Sequence, residues 1–227
     1  LVKSHLPPPV GHRHEQKPEG TLFPCKSENK FTKNDLVFEL PEDALYEDLD
    51  FHYSVTGLVK GSYSPVHHLE DEYTPIQSLC TLSIKPIGLP PRLQSKAIIA
   101  KVDKNGRVAG KGGKWENGFV KTQIKEFGDY TVAVDTNAPV IRAINVSPGN
   151  KIAKQHSISM KISDNLSGIK SYRGTLNGKW ILMDFDAKSS SLIYVFDDRL
   201  TTGKNEFRLV VRDGVGNESV YKATLHK

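Results

Sequence analysis

Little in this chain of 227 residues lends itself to covalent catalysis or to a membrane. It has only two cysteines, Cys25 and Cys80, with two methionines and two tryptophans. No apolar run reaches the roughly eighteen residues that a spanning helix needs. G-x-S-x-G, Walker, C-x-x-C and dinucleotide-binding patterns are absent, which removes the best-marked hydrolase, nucleotide and redox chemistries. An initiator Met and a basic-then-apolar leader are absent too, and the chain opens at Leu1 in a Pro-rich stretch. That opening is expected of a processed product or of a fragment of something longer.

Charge is modest. Lys and Arg number 31 against 26 Asp and Glu, a net charge of +5 and a pI near 9.0. The basic residues alternate with acids and form no block, and there is no aromatic RNA-binding motif and no basic helix. Nucleic acid is therefore not an expected partner. A solvated basic surface is expected instead, with weak attraction to anionic surfaces such as a cell wall. Both cysteines lie in the first half of the chain. Paired, they would close a long loop and stabilise the domain by about 4 kcal/mol in the chain-entropy account. Free buried thiols are the alternative. A disulfide would point to an exported protein.

What is present reads as strand. Residues 1–20 have no apolar period and contain Pro7-Pro8-Pro9, an extended lead-in. Short runs at 36–40, 51–58, 79–84, 97–102, 119–124 and 130–134 are rich in β-branched and aromatic residues and end on turn residues. Asp103-Lys104-Asn105-Gly106 and Asn117-Gly118 mark tight hairpins. Residues 42–49 are the one helical candidate, and an irregular strand is preferred there. Asp135-Thr136-Asn137-Ala138-Pro139 follows a finished strand and reads as a domain joint, short enough to fix the angle between modules.

Beyond it, candidate strands at 140–146, 156–162, 169–176, 179–185, 192–196, 205–212 and 219–225 follow one another at sandwich spacing. The expectation is an all-β protein of two tandem β-sandwich domains. The first spans 21–136 and the second 137–227, the latter immunoglobulin- or fibronectin-like with about seven strands. A faint echo links the two: the alternating runs at 130–134 and 207–211 are each followed closely by an aspartate, Asp135 and Asp213.

Three constellations offer chemistry. His12-x-His14 puts two imidazoles on one side of a strand, and His67-x-x-x-Asp71 supplies a second metal-ligand spacing. Together they allow a self-contained zinc hydrolase as one function, although both lie in polar or Pro-rich surroundings. Asp164-Asn-Leu-Ser-Gly168 and Asp213-Gly-Val-Gly-Asn217 sit just after strands, where Asp and Asn bond their own backbone. The functional alternative is calcium held by Asp164, Asp213 and Asn217 at one pole of the sandwich. Trp115, Trp180, Tyr172 and Tyr194 would stack on sugar rings if they lined one exposed face, and otherwise belong to the core.

The stretch from Ile162 to Trp180, with Val211-Arg-Asp-Gly-Val-Gly-Asn217, resembles the C-terminal immunoglobulin-like region of Bacteroidetes-type metallopeptidases of the M23 family. Phe127-Gly-Asp-Tyr-Thr-Val-Ala-Val-Asp-Thr-Asn-Ala-Pro139 is similar to those proteins as well. In the first half, Leu40-Pro-Glu-Asp-Ala-Leu45 resembles the start of ZU5-like β domains. That family's H-x-x-x-D precedes its H-x-H, the reverse of the order here, so no zinc ligand carries over. The resemblance implies a non-catalytic accessory region of an exported cell-wall hydrolase, periplasmic or at the cell surface. Its partners would be an upstream peptidase domain, which alone would hold zinc, and peptidoglycan or another glycan. A carbohydrate-binding or adhesin-like module is the rival reading.

Overall fold

The computed structural model describes residues 20–152 and 154–227. The expected lead-in, apart from Gly20, lies outside the described residues, and His12 and His14 with it.

Twelve strands form the first half. In order they are β1 (Thr21–Phe23), β2 (Asn29–Lys33), β3 (Leu36–Leu40), β4 (Leu49–Phe51), β5 (Tyr53–Thr56) and β6 (Val66–Leu69). There follow β7 (Cys80–Ile84), β8 (Ala97–Val102), β9 (Val108–Gly110), β10 (Lys114–Glu116), β11 (Phe119–Ile124) and β12 (Gly128–Val134). Two five-stranded sheets result, β10-β11-β7-β3-β2 and β5-β6-β12-β8-β9, with a β1-β4 ribbon beside them. Phe38, Leu82 and Val120 from one sheet meet Leu69, Ile99 and Val132 from the other in one core. Phe23 and Phe51 stack there at 4.5 Å. Antiparallel strands with one wet face should alternate in burial. In β8 they do not: Ala97, Ile98, Ile99 and Ala100 are all buried. The outer side of β8 is therefore covered by something else.

That cover is the second sandwich. Its strands are β13 (Val140–Ala143), β14 (Ser157–Ser163), β15 (Ile169–Leu176), β16 (Lys179–Ile181), β17 (Asp184–Asp186), β18 (Ser191–Val195), β19 (Lys204–Asp213) and β20 (Glu218–His226). They pair as β13-β14-β18-β17 and β16-β15-β19-β20, all antiparallel. Ile158, Met160 and Ile162 of one sheet pack on Leu176, Phe207 and Leu209 of the other. The β15-β16 hairpin turns on Asn177 and Gly178, both left-handed at φ 52° and 78°, the conformation a two-residue turn requires.

Two expectations are corrected. The single strand expected at 179–185 is two, β16 and β17, in opposite sheets. The chain crosses between them at Leu182-Met183, and Met183 is buried in the gap, giving eight strands where about seven were expected. Residues 42–49 run mostly as turn and bend and join a strand only at Leu49. Asp43 sits at φ 58°, its N–H donates to the Cys25 carbonyl, and only Ala44 and Leu45 of the stretch are buried. The described helix is a short 3-10 segment, Pro91–Lys96. Of the two states left open for the cysteines, the structure has free thiols at Cys25 and Cys80. The backbone N–H of Cys25 is tied to Asp48 at 2.8 Å, while the buried Cys80 thiol donates to the Ser78 carbonyl at 3.6 Å.

Candidate functional site

The two sandwiches meet through a small apolar contact and a hydrogen-bonded knot. Ile98, Ala100 and Ala133 on the outer side of the β8-β12 pair pack against Val108, Leu166 and Val215. Leu166 and Val215 come from the two Asp-Gly loops of the second sandwich. Gly110 permits the approach: a Cβ there would lie 2.0 Å from the Leu166 carbonyl oxygen. Lys96, at the end of the 3-10 segment, donates through Nζ to the Val215 carbonyl at 2.9 Å.

Around this contact three aspartates converge. Asp135 follows β12 and is 1% exposed. Its Oδ1 accepts from the Asn137 N–H at 3.1 Å and its Oδ2 from the Ser167 N–H at 2.9 Å, so it binds across the joint. Asp164 follows β14 and accepts through Oδ2 from Leu166 N–H at 3.0 Å and Gly168 N–H at 2.8 Å. Asp213 ends β19 and is wholly buried, its Oδ1 accepting from Val215 N–H and Asn217 N–H at 3.0 and 2.7 Å. One carboxylate oxygen from each of the three lies within 4.8 Å of the others. Turn chemistry thus accounts for where each loop bends. It leaves two atoms of the 164–168 loop unexplained, because Asp164 Oδ1 and Ser167 Oγ are shut off from solvent with no hydrogen-bond partner. Three like charges in so small a volume repel in a low-dielectric setting. An oxygen-only donor set suits a hard divalent cation.

Asn217 behaves differently from the expectation that it would offer an oxygen. Its Nδ2 group donates to the Asp135 carbonyl at 3.0 Å, the Asn137 carbonyl at 3.1 Å and Asp213 Oδ2 at 2.7 Å. It clamps the joint. Asp135 had no place in the expected ligand set, and its only sequence signal was the echo with Asp213.

Trp115, Trp180, Tyr172 and Tyr194 do not line one exposed face. Tyr194 is buried, with its hydroxyl donating to Asp197 Oδ1 at 2.5 Å. Burial and that bond push its pKa up to about 12. Tyr172 lies at the sandwich edge, 6.0 Å from the Phe185 ring, and its hydroxyl donates to the Met183 carbonyl at 3.3 Å. Trp115 is half-buried, edging the first core and lining a cleft of about 790 Å³ beside the joint, together with Pro91, Gln94, Lys170 and Arg212. Trp180 is half-exposed on the outer face of its sheet.

The histidine pair on β6 is equally dispersed, because successive strand residues face opposite ways. His67 is wholly buried, with Nδ1 2.8 Å from the Tyr53 hydroxyl. His68 bridges Asp129 Oδ1 at 2.6 Å and Thr56 Oγ1 at 2.8 Å. Asp71 accepts from the Tyr73 N–H. Among the described residues these side chains do not form a metal cluster with one another. No described helix is long and apolar enough to cross a membrane.

No curated protein matches the chain. Among solved structures, the fibronectin(III)-like modules of Clostridium thermocellum CbhA align at 12% identity and a TM-score of 0.33. That alignment covers 77% of this chain and 93% of theirs, a likeness too loose to assign anything. The sequence profile of the Zu5-like domain matches residues 20–135, just over half of the chain. Through that first sandwich, the chain belongs to the Zu5-like domain family.

Proposed function

We propose that this chain is a non-catalytic accessory region of a larger exported protein. A Zu5-like sandwich ending near 136 and a second sandwich from 137 act together as a stiff spacer that positions or targets an upstream domain at the cell envelope. The observation that carries this reading is the joint. Buried Asp135, clamped by Ser167 and Asn217 and flanked by an apolar contact, opposes free swinging of the modules. The upstream domain in this reading is a peptidase of the M23 family, supported by the Asp-x-x-Ser-Gly-Ile and Asp-Gly-x-Gly-Asn loops that build the joint. Co-sedimentation of the purified chain with isolated peptidoglycan sacculi tests it. Retention at moderate salt supports wall targeting. Release on raising salt reduces the contact to charge attraction. Failure to bind at any salt removes targeting and leaves a spacer.

A second reading concerns the aspartate cluster. The partnerless Asp164 Oδ1, beside two fully buried carboxylates, favours a calcium ion held by Asp135, Asp164 and Asp213. Bound there, the ion would offset two of the three negative charges and stiffen the joint.

A further inference from the structure

The outer face of the β16-β15-β19-β20 sheet gathers cations that are scattered in the sequence. Trp180, Thr175, Arg208 and Lys222 are successive cross-strand partners, one row over all four strands. With strands about 4.8 Å apart, the row spans roughly 14 Å of backbone. The next row on this face is Arg173, Val210 and Val220, and the one beyond it Ser171, Arg212 and Glu218. The alternate residues Leu176, Phe207, Leu209 and Val211 are buried in the core, which fixes these rows as the outward ones.

The acids on this face are already engaged. Glu206 pairs with Lys204 at 2.9 Å and Glu218 with Arg212 at 2.7 Å. Arg173, Arg208 and Lys222 are exposed and form no ion pair among the described residues. Arg173, Arg208 and Arg212 line a groove of about 320 Å³. Through Ser171 and Arg212 this groove is continuous with the cleft at the joint, which adds Lys114, Lys170 and Trp115. The result is a basic track with one tryptophan at each end and an apolar strip, Val210 and Val220, between.

We propose that this track binds an acidic polysaccharide, with uronate carboxylates on the arginine forks and a sugar face on Trp180. Planar guanidinium groups match carboxylates bidentately. A single-stranded nucleic acid needs several aromatics interleaved with the cations to stack successive bases, and here the tryptophans stand at the ends with Tyr172 alone between, its hydroxyl held by the Met183 carbonyl. The inference does not depend on an upstream peptidase or on wall binding.

The test is calorimetric titration of the chain with polygalacturonate at 150 mM salt, with dextran as the neutral polymer and a single-stranded DNA oligonucleotide as the rival polyanion. Binding to polygalacturonate alone is expected. The triple variant Arg173→Gln/Arg208→Gln/Lys222→Gln should weaken it by roughly tenfold or more, and Trp180→Ala by a few-fold. Both variants change exposed side chains, and an unchanged thermal melt shows that they fold. Three results overturn the proposal: no binding to polygalacturonate, equal binding to dextran, or equal binding to DNA. Because the probe contains no peptidoglycan, failure here leaves the sacculus experiment standing, and the reverse also holds.

Discussion

Asp135 and Asp213 belong to different sandwiches, yet one side-chain amide joins them. Asn217 Nδ2 lies 3.0 Å from the Asp135 carbonyl and 2.7 Å from the Asp213 carboxylate. Both aspartates are almost inaccessible to water. Removing the amide strips a donor from buried acceptors on each side of the joint, which costs about 2 kcal/mol. Asn217→Ala should therefore split a single calorimetric transition into two. It should also broaden the distance distribution in small-angle scattering. An unchanged single transition would show that the knot does not couple the modules.

The fold was largely legible in the sequence, and the joint only partly. Strand periodicity and Asn-Gly pairs report local conformation, so the runs at 36–40 and 97–102 coincide with β3 and β8. The 179–185 segment misled because a chain crossing from sheet to sheet keeps its apolar residues while losing its partner. Asp135 was visible only as the echo of Asp213, since spatial convergence of distant loops leaves no periodic trace. The basic rows were hidden for the same reason: Arg173, Arg208 and Lys222 lie on three strands, and only register lines them up. Tyr194 and Trp180 are both aromatic residues of strands, and composition does not distinguish the buried one from the exposed one.

Gly110 tests the apolar half of the joint. A methyl group there would meet the Leu166 carbonyl oxygen at 2.0 Å and the Ile98 side chain at 2.9 Å, and a backbone oxygen cannot swing aside. Gly110→Ala should cost about 1–3 kcal/mol as overpacking. The loss should fall on the coupling between modules, while each core keeps its own melting behaviour. A variant that melts as one unit at the native temperature would contradict the packing described.

His67 makes the first sandwich acid-sensitive. Its ring is wholly buried against Tyr53, with Asp35 3.8 Å away, and burial holds its pKa below the ordinary value of 6.5. The unfolded chain takes up a proton near 6.5 that the folded chain resists. Stability is therefore full above that pH and falls as pH drops from 6.5 toward the depressed folded value. Melting curves between pH 7.5 and 5 should show this decline, and His67→Gln should flatten it. A variant with the wild-type slope would assign the acid sensitivity to other groups.

The cysteines give a chemical check. Burial pushes the Cys80 thiol up to about 11, and the hydrogen bond of the Cys25 side chain itself to Asp48 raises that thiol as well. Thiolate is the reactive form, so both should react slowly at pH 8, Cys80 the more slowly. Unfolding without reductant should release two titratable thiols. Finding none would mean that the pair is oxidised.

Calcium gives the sharpest test of the joint, because the two states of the aspartate cluster respond oppositely to one mutation. A ligand that binds only the folded chain stabilises it by RT ln(1 + L/Kd), L being its free concentration, about 2.7 kcal/mol at a hundred times Kd. Millimolar calcium should then raise the melting temperature by several degrees, and a chelator should reverse the rise. Asp164→Asn keeps an oxygen for the Leu166 and Gly168 N–H groups while removing one charge. In chelator it should melt higher than the wild type, through relief of repulsion within 4.8 Å, and in calcium it should gain nothing. If calcium and an equal ionic strength of sodium chloride act alike on both proteins, the three aspartates serve only to bend their loops.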